Sequence, residues 1–273
     1  MPEITAKLVN ELRALTGQGM MECKKMLATV EGDIQKAIDG FRKKGVKTSI
    51  TERTTSEGRI IGSRSDDGRA AALVEVNCNT DFTAKSEPVQ QLGMAAAKIL
   101  LANPSANVAA DPAIAAKVTE VAQQTGENVH IGRTAIQRID GGKVGLYIYT
   151  VTGKIGVLVS VAGDPSDELL RDLGLHITGR QPRALALSRE QLPADIVARE
   201  KEIAVAQAIE SGKPKPIAEK IAEGKMRLFY EDRVLLDQPF VNPDKFKGSI
   251  GDMLKAAGAT IKEYMRMEVG QAS

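Results

Sequence analysis

The chain has no tryptophan, and its aromatic residues stop at five Phe and four Tyr among 273 residues. Aromatic side chains carry large buried areas, so the cores must be mostly aliphatic, and an aromatic ring placed among small polar residues needs a reason. Cysteine is equally scarce. Cys23 and Cys78 stand far apart, which writes neither a disulfide framework nor a zinc motif and fits a reducing cytoplasm. With His130 and His176 as the two histidines, no motif assembles a nucleophile, a base and an orienting carboxylate. No enzyme site is expected.

Long apolar runs are missing too. None approaches the roughly 18 residues of a membrane span, and the opening "MPEITAKLVNEL" has no apolar stretch of the secretory kind, so a soluble, untargeted protein without membrane contact is expected. Charge of one sign is not in excess, with 37 Lys and Arg against 35 Asp and Glu. That argues against a dedicated nucleic-acid binder. Neither GxxxxGK[ST] nor GxGxxG occurs, so no nucleotide cofactor is expected, and no spacing calls for a metal.

What is present is periodicity. Apolar residues recur at helical spacing three times in residues 1–45: Leu8, Leu12, Leu15; then Met20, Cys23, Leu27, Val30; then Ile34, Ala37, Ile38, Phe41. This predicts a three-helix module, with Gly45 placed as a C-cap. Residues 46–57 are Ser/Thr-rich and charged, as in a linker. A first core half, 58–140, opens with strand-like runs Arg59 to Ser65 and Ala70 to Asn77 around an Asp-Gly turn, then a helix near 89–101. The pattern returns in a second half, 141–192 and 232–273, with runs 144–151 and 155–161 and a helix near 165–178. "LVEV" answers "LVSV", and "QLGMAAAKILLANP" answers "DLGLHITGRQP", so the core reads as duplicated. The glycines of "GRIIG" and "GKIGVLV" read as hairpin glycines. Residues 193–231 are charged and helix-favouring, broken at "SGKPKP", which predicts an inserted antiparallel helical hairpin. Ile196, Ile203 and Ala204 on one arm and Ile217, Ile221 and Leu228 on the other would form its seam. The predicted class is α+β: a three-helix module, a duplicated core of antiparallel β-hairpins packed with helices, and the inserted hairpin.

The misplaced aromatic sits in "NCNTDFTAKSEP", residues 77–88. Leu73 to Leu92 spans four positions more than Leu158 to Leu173 in the second half, so Thr80, Asp81 and Phe82 lie in an elaborated loop. Two readings remain open from the residues. Thr80, Asp81 or Ser86 caps the next helix and Phe82 folds back as a hydrophobic staple, or the loop presents an acid and a ring to a partner. Met20 belongs to the predicted core stripe, whereas Met21 is expected to be exposed beside Cys23, Lys24 and Lys25 as an adaptable contact. The basic run Arg42, Lys43, Lys44, Lys47, with Arg53, offsets a helix C-terminus or touches RNA. The near-neutral charge and scarce aromatics disfavour RNA.

These motifs, "ELRALTGQGMMECKKML", "VNCNTDF", "GKIGVLV", "SGKPKPIAEKIAEGKM" and "LLDQPFV", closely resemble the bacterial elongation factor Ts family along nearly the whole chain. The resemblance implies an N-terminal domain of the ubiquitin-associated type docking on elongation factor Tu through Met20, Met21, Cys23 and Lys24. It implies a Thr80-Asp81-Phe82 loop entering the partner's G domain beside its magnesium site, and a contact involving His176 in the second half. It further implies a coiled-coil protrusion used by some members in self-association, and guanine-nucleotide exchange in the cytoplasm without covalent chemistry. Tyr149 stands where many relatives carry histidine in the second hairpin, so a histidine contact there is not carried over.

Overall fold

Apolar residues three and four positions apart make one face of a helix, and the chain opens with three such helices: α1 (Ala6–Thr16), α2 (Met20–Thr29) and α3 (Ile34–Lys43). The computed structural model describes residues 4–16, 18–43 and 55–271. Most of the expected linker, Gly45, and the Lys44, Lys47 and Arg53 of the basic run lie outside them, as do the side chains of Leu15 and Arg42. Val9 and Leu12 of α1, Cys23, Met26 and Leu27 of α2, and Ala37 and Phe41 of α3 form the module's core. Met20 is not in it. The side chain expected in the stripe is 53% exposed, because Cys23 begins the buried 23/26/27 set and Met20 sits at the helix's open first turn.

Two three-stranded antiparallel sheets follow, ordered β1-β2-β3 and β4-β5-β6. The first comprises β1 (Glu57–Arg64), β2 (Ala70–Cys78) and β3 (His130–Arg138); the second comprises β4 (Gly142–Ile148), β5 (Ile155–Ala162) and β6 (Thr260–Glu268). The central strands are buried on both faces. A strand's successive side chains point to opposite sides, so Ala72, Val74 and Val76 of β2 pack with α5 (Glu87–Ala102), after the short α4 (Asp81–Lys85), while Ala71 and Leu73 meet Val144 and Leu158 of the other sheet. On β5, Val157, Val159 and Val161 turn to α7 (Asp167–Gly179). The order is therefore helix, sheet, sheet, helix.

Glycine sets how close these layers come. A Cβ on Gly156 would lie 2.5 Å from Ile60 Cγ2, and one on Gly62 would lie 2.7 Å from Leu146 Cδ1. Gly62 and Gly156 are thus strand residues at the sheet-to-sheet contact rather than the hairpin glycines expected from sequence. Gly153, with φ 66°, is the one in the turn.

α6 (Pro112–Thr125) lies between α5 and β3, capped by Asp111, whose carboxylate accepts from Ala113 N and Ile114 N, and ended by Gly126 in the left-handed region. The inserted arms are α8 (Ala194–Glu210) and α9 (Lys215–Arg233). Their seam differs from the expected one: Ala204, Ala208, Ala218, Ala222 and Met226 are buried, while Ile196, Ile203, Ile217 and Leu228 are exposed. Small residues at i and i+4 let two helices approach closely, which displaces the larger side chains outward. α10 (Ile250–Ala256), opened by a capping box of Ser249 and Asp252, returns the chain to β6.

Candidate functional site

The Thr80 to Phe82 segment is built by a single carboxylate. Glu127, just beyond the C-terminus of α6, accepts from the backbone N–H of Asn79 at 3.0 Å and of Thr80 at 3.0 Å through Oε2, and from the Thr80 hydroxyl at 2.6 Å through Oε1. Thr80 Oγ1 in turn accepts from Thr83 N at 3.3 Å, making Thr80 the N-cap of α4. The Cys78 thiol donates to Thr80 O, and Ser86 Oγ donates to Thr83 O. Both ends of the one-turn helix are therefore held.

Within that turn the helical period sorts the side chains. Thr83 and Ala84 are buried, whereas Phe82 is 84% exposed. Thr80 caps the short α4 rather than the longer helix near 89–101 that it was expected to cap, Ser86 at the start of α5 makes no side-chain cap bond, and the hydrophobic staple is absent. Asp81 points outward with Phe82, its Oδ2 2.8 Å from Lys85 Nζ one turn on. The hydrogen bond from Lys85 lowers its carboxyl below the usual aspartate value. A held segment thus offers a ring and a carboxylate to solvent.

Glu127 is the functional residue that sequence reasoning missed. In "TGENVH" it reads as an acid in a solvated turn; only the αL glycine before it hints that the backbone there is fixed. Glu127→Ala leaves three donors without their acceptor, and we expect a loss of about 1–3 kcal/mol in stability. Amide hydrogen exchange at Asn79 and Thr80 should become fast in that variant. Unchanged protection at both amides would show that Glu127 does not hold the segment.

The other sequence candidates lie apart from this site. Met20 and Met21 are 53% and 65% exposed, and Lys24 is exposed beside them, so the first turn of α2 offers a soft apolar surface with a cation. Cys23 does not join them at the surface. It is fully buried, its Sγ 3.8 Å from Thr16 Oγ1, and burial pushes its thiol up. Cys78 is also buried, its thiol pushed up to about 11 by burial and then by the Glu127 charge. Protonated, enclosed thiols are poor nucleophiles.

His176 likewise reaches no surface, which corrects the expectation of a direct contact. Val241 N donates to its Nδ1 at 3.2 Å, so Nε2 carries the proton and donates to Gln238 Oε1 at 3.0 Å. Gln238 then donates to Pro182 O and Asp232 O. Burial lowers the imidazole to about 4, the Gln238 bond working in the opposite direction. This network joins α7, the C-terminal end of α9 and the segment entering α10; its role is to hold the base of the helical hairpin. His130 is exposed at the start of β3.

Among the described residues no group of three or more His, Cys, Asp and Glu is arranged to hold a metal ion, and no helix is long and apolar enough to cross a membrane. What the geometry offers is a protruding acid and aromatic pair, suited to entering a cleft in another macromolecule.

Comparison with known proteins agrees with the motifs. The profile of the family described as "Elongation factor TS" matches residues 79–271. Similar proteins include Elongation factor Ts of Pasteurella multocida, 43% identical over 276 residues, covering 99% of this chain and 93% of that protein. The Psychrobacter sp. protein of the same name is 40% identical over 281 residues, covering 99% and 92%. That of Methylococcus capsulatus is 38% identical over 279 residues, covering 98% and 92%.

Proposed function

The chain belongs to the elongation factor Ts family, and on that premise we propose that it is a guanine-nucleotide exchange factor of translation elongation, acting in the cytoplasm on GDP-bound elongation factor Tu. The observation that carries the mechanism is Phe82, 84% exposed on a segment fixed from behind by Glu127. A ring left in water on a held backbone can be driven into a partner without first being ordered, which lowers the entropic cost of binding.

In this reading Asp81 and Phe82 enter beside the partner's magnesium and phosphate site. Magnesium tolerates little departure from octahedral geometry, and in nucleotide-binding proteins it bridges phosphate oxygens to the protein, so a small displacement there weakens the hold on GDP. No bond is made or broken by this chain. Coupling is reciprocal: by whatever factor the protein weakens GDP binding, GDP weakens the protein's binding. The ternary complex is therefore transient and is resolved when GTP enters.

The N-terminal module docks through Met20, Met21 and Lys24 in the manner of a ubiquitin-associated domain, with Cys23 shaping the turn from within. The second half, braced by His176, supplies a further contact to the same partner. The helical hairpin, read as a coiled coil, serves self-association. Nucleic acid, a cofactor and a membrane have no part in the proposal.

The test is release of a fluorescent GDP from elongation factor Tu, followed by stopped flow at increasing concentrations of this protein. A release rate that rises with concentration and then saturates is expected. Folded protein that leaves the rate unchanged would refute the proposal.

A further inference from the structure

Away from the Asp81 and Phe82 segment, a cavity of about 250 Å³ opens where β3, β6, the end of α7 and the segment before α10 meet. Four of its lining residues are arginines, Arg133, Arg180, Arg183 and Arg266, and Glu268 is the one carboxylate in the lining. Its other walls include Ile177, Ala184, Leu235 and the ring of Tyr264.

The existing partners do not exhaust these guanidinium groups. Arg133 donates to Glu75 at 2.7 Å and to the Glu268 backbone carbonyl at 2.5 Å. Arg183 reaches Glu268 Oε2 and Gln271, each at 2.7 Å, and Arg266 reaches the same Glu268 oxygen at 2.7 Å. Arg180 has a 3.4 Å contact with Asp232. The Nε atoms of Arg180 and Arg266 are buried without any hydrogen-bond partner. A buried charged donor without an acceptor is costly, so these Nε atoms mark guanidinium groups whose hydrogen bonding is incomplete, and Arg180, whose one ion pair is the 3.4 Å contact with Asp232, keeps the most capacity for an anion. The local potential agrees: burial works to raise the Glu268 carboxyl, yet the bonds and charges of Arg266 and Arg183 leave it lowered.

We propose that this cavity binds a small phosphate-bearing molecule, a mono- or diphosphate with a compact organic body. The planar guanidinium fork matches phosphate oxygens in pairs, and a phosphate ester brings up to two charges and three acceptor oxygens. The Ile177, Leu235 and Tyr264 side takes the organic part. The site differs from the backbone cradle of a P-loop because side chains supply its donors. It does not depend on elongation factor Tu, so it stands or falls separately from the exchange reading.

Isothermal titration of the full chain with inorganic pyrophosphate and with ribose 5-phosphate tests it, with ribose and malonate as controls. One saturable site is expected for the phosphates, with none for ribose and at least about ten-fold weaker binding for malonate. Arg180→Gln should weaken phosphate binding about ten-fold or more, as should Arg266→Gln, each with an unchanged circular dichroism spectrum. Lys225→Gln, on the helical hairpin, should leave it unchanged. Arg180→Gln gives up one hydrogen bond, the long Asp232 contact, so it remains informative if Arg266→Gln fails to fold. Equal binding by wild type and Arg180→Gln, equal affinity for malonate, or no saturable site would overturn the proposal.

Discussion

Phe82→Ala is expected to slow exchange by about thirty-fold or more while leaving the fold intact. An aromatic anchor buried at an interface contributes about 2 kcal/mol or more, and each 1.4 kcal/mol is a factor of ten. In the free protein the same ring is 84% exposed, so its removal should change folding stability by no more than about 0.5 kcal/mol. The two halves of this expectation come from one number, and they separate the two sequence readings of the residue. A ring stapled to its own helix would cost roughly 3 kcal/mol or more on truncation. Urea unfolding and GDP release measured on the same preparation decide it: exchange at the wild-type rate would remove Phe82 from the mechanism, and a large stability loss would restore the staple.

The second large effect is on stability against pH. His176 is fully buried and neutral, its pKa lowered to about 4 by burial, while the unfolded chain titrates near the ordinary value of about 6.5. The unfolded state therefore binds the extra proton first. Stability is complete above about pH 6.5 and falls as the pH drops towards 4, with a limiting slope of about 1.4 kcal/mol per unit and a total of roughly 3 kcal/mol. Below the folded value the contribution is gone. The depressed carboxyls, such as Asp67 and Asp252, lose their contributions at lower pH than the upper part of this window. His176→Asn should be less stable at pH 7 yet nearly flat between pH 6.5 and 4.5. Parallel curves for the two proteins would show that His176 does not govern this range.

Much of the α+β arrangement was legible because patterning and turn chemistry agreed. β1, β2, β4 and β5 announced themselves by β-branched runs around glycine turns, and the echo of "QLG" by "DLG" has a physical basis. A Cβ on Gly93 would meet Ile61 at 2.6 Å, and one on Gly174 would meet Tyr147 at 2.3 Å, so both helices press on a strand at the same place. β3 was not legible: as an edge strand in "HIGRTAIQR" it buries few side chains, so it lacks the clean apolar and polar alternation by which a strand with one packed face is recognised. α6 carried its signals in Asp111, Pro112 and Gly126, but it buries only Ile114 and Val121, which leaves its apolar stripe faint. The hairpin seam misled because hydrophobicity ranks Ile above Ala, while close helix approach favours the smaller residue. At the site, Thr80 to Phe82 were visible as an odd composition. Glu127 was not, since its partners, two backbone amides and the Thr80 hydroxyl, lie 47 and 48 positions away.

The pairing of β5 with β6 sets an order on synthesis. Sheet one closes between Glu57 and Arg138, whereas Ile155 of β5 finds its partner in Glu268. A nascent chain can complete its first half early, and α8 with α9, being local in sequence, can zip together next. Throughout that interval β5 waits with one flank unpaired, and an open strand edge is a template for unwanted association. The helical insertion thus lengthens the period in which half of the core is vulnerable on the ribosome.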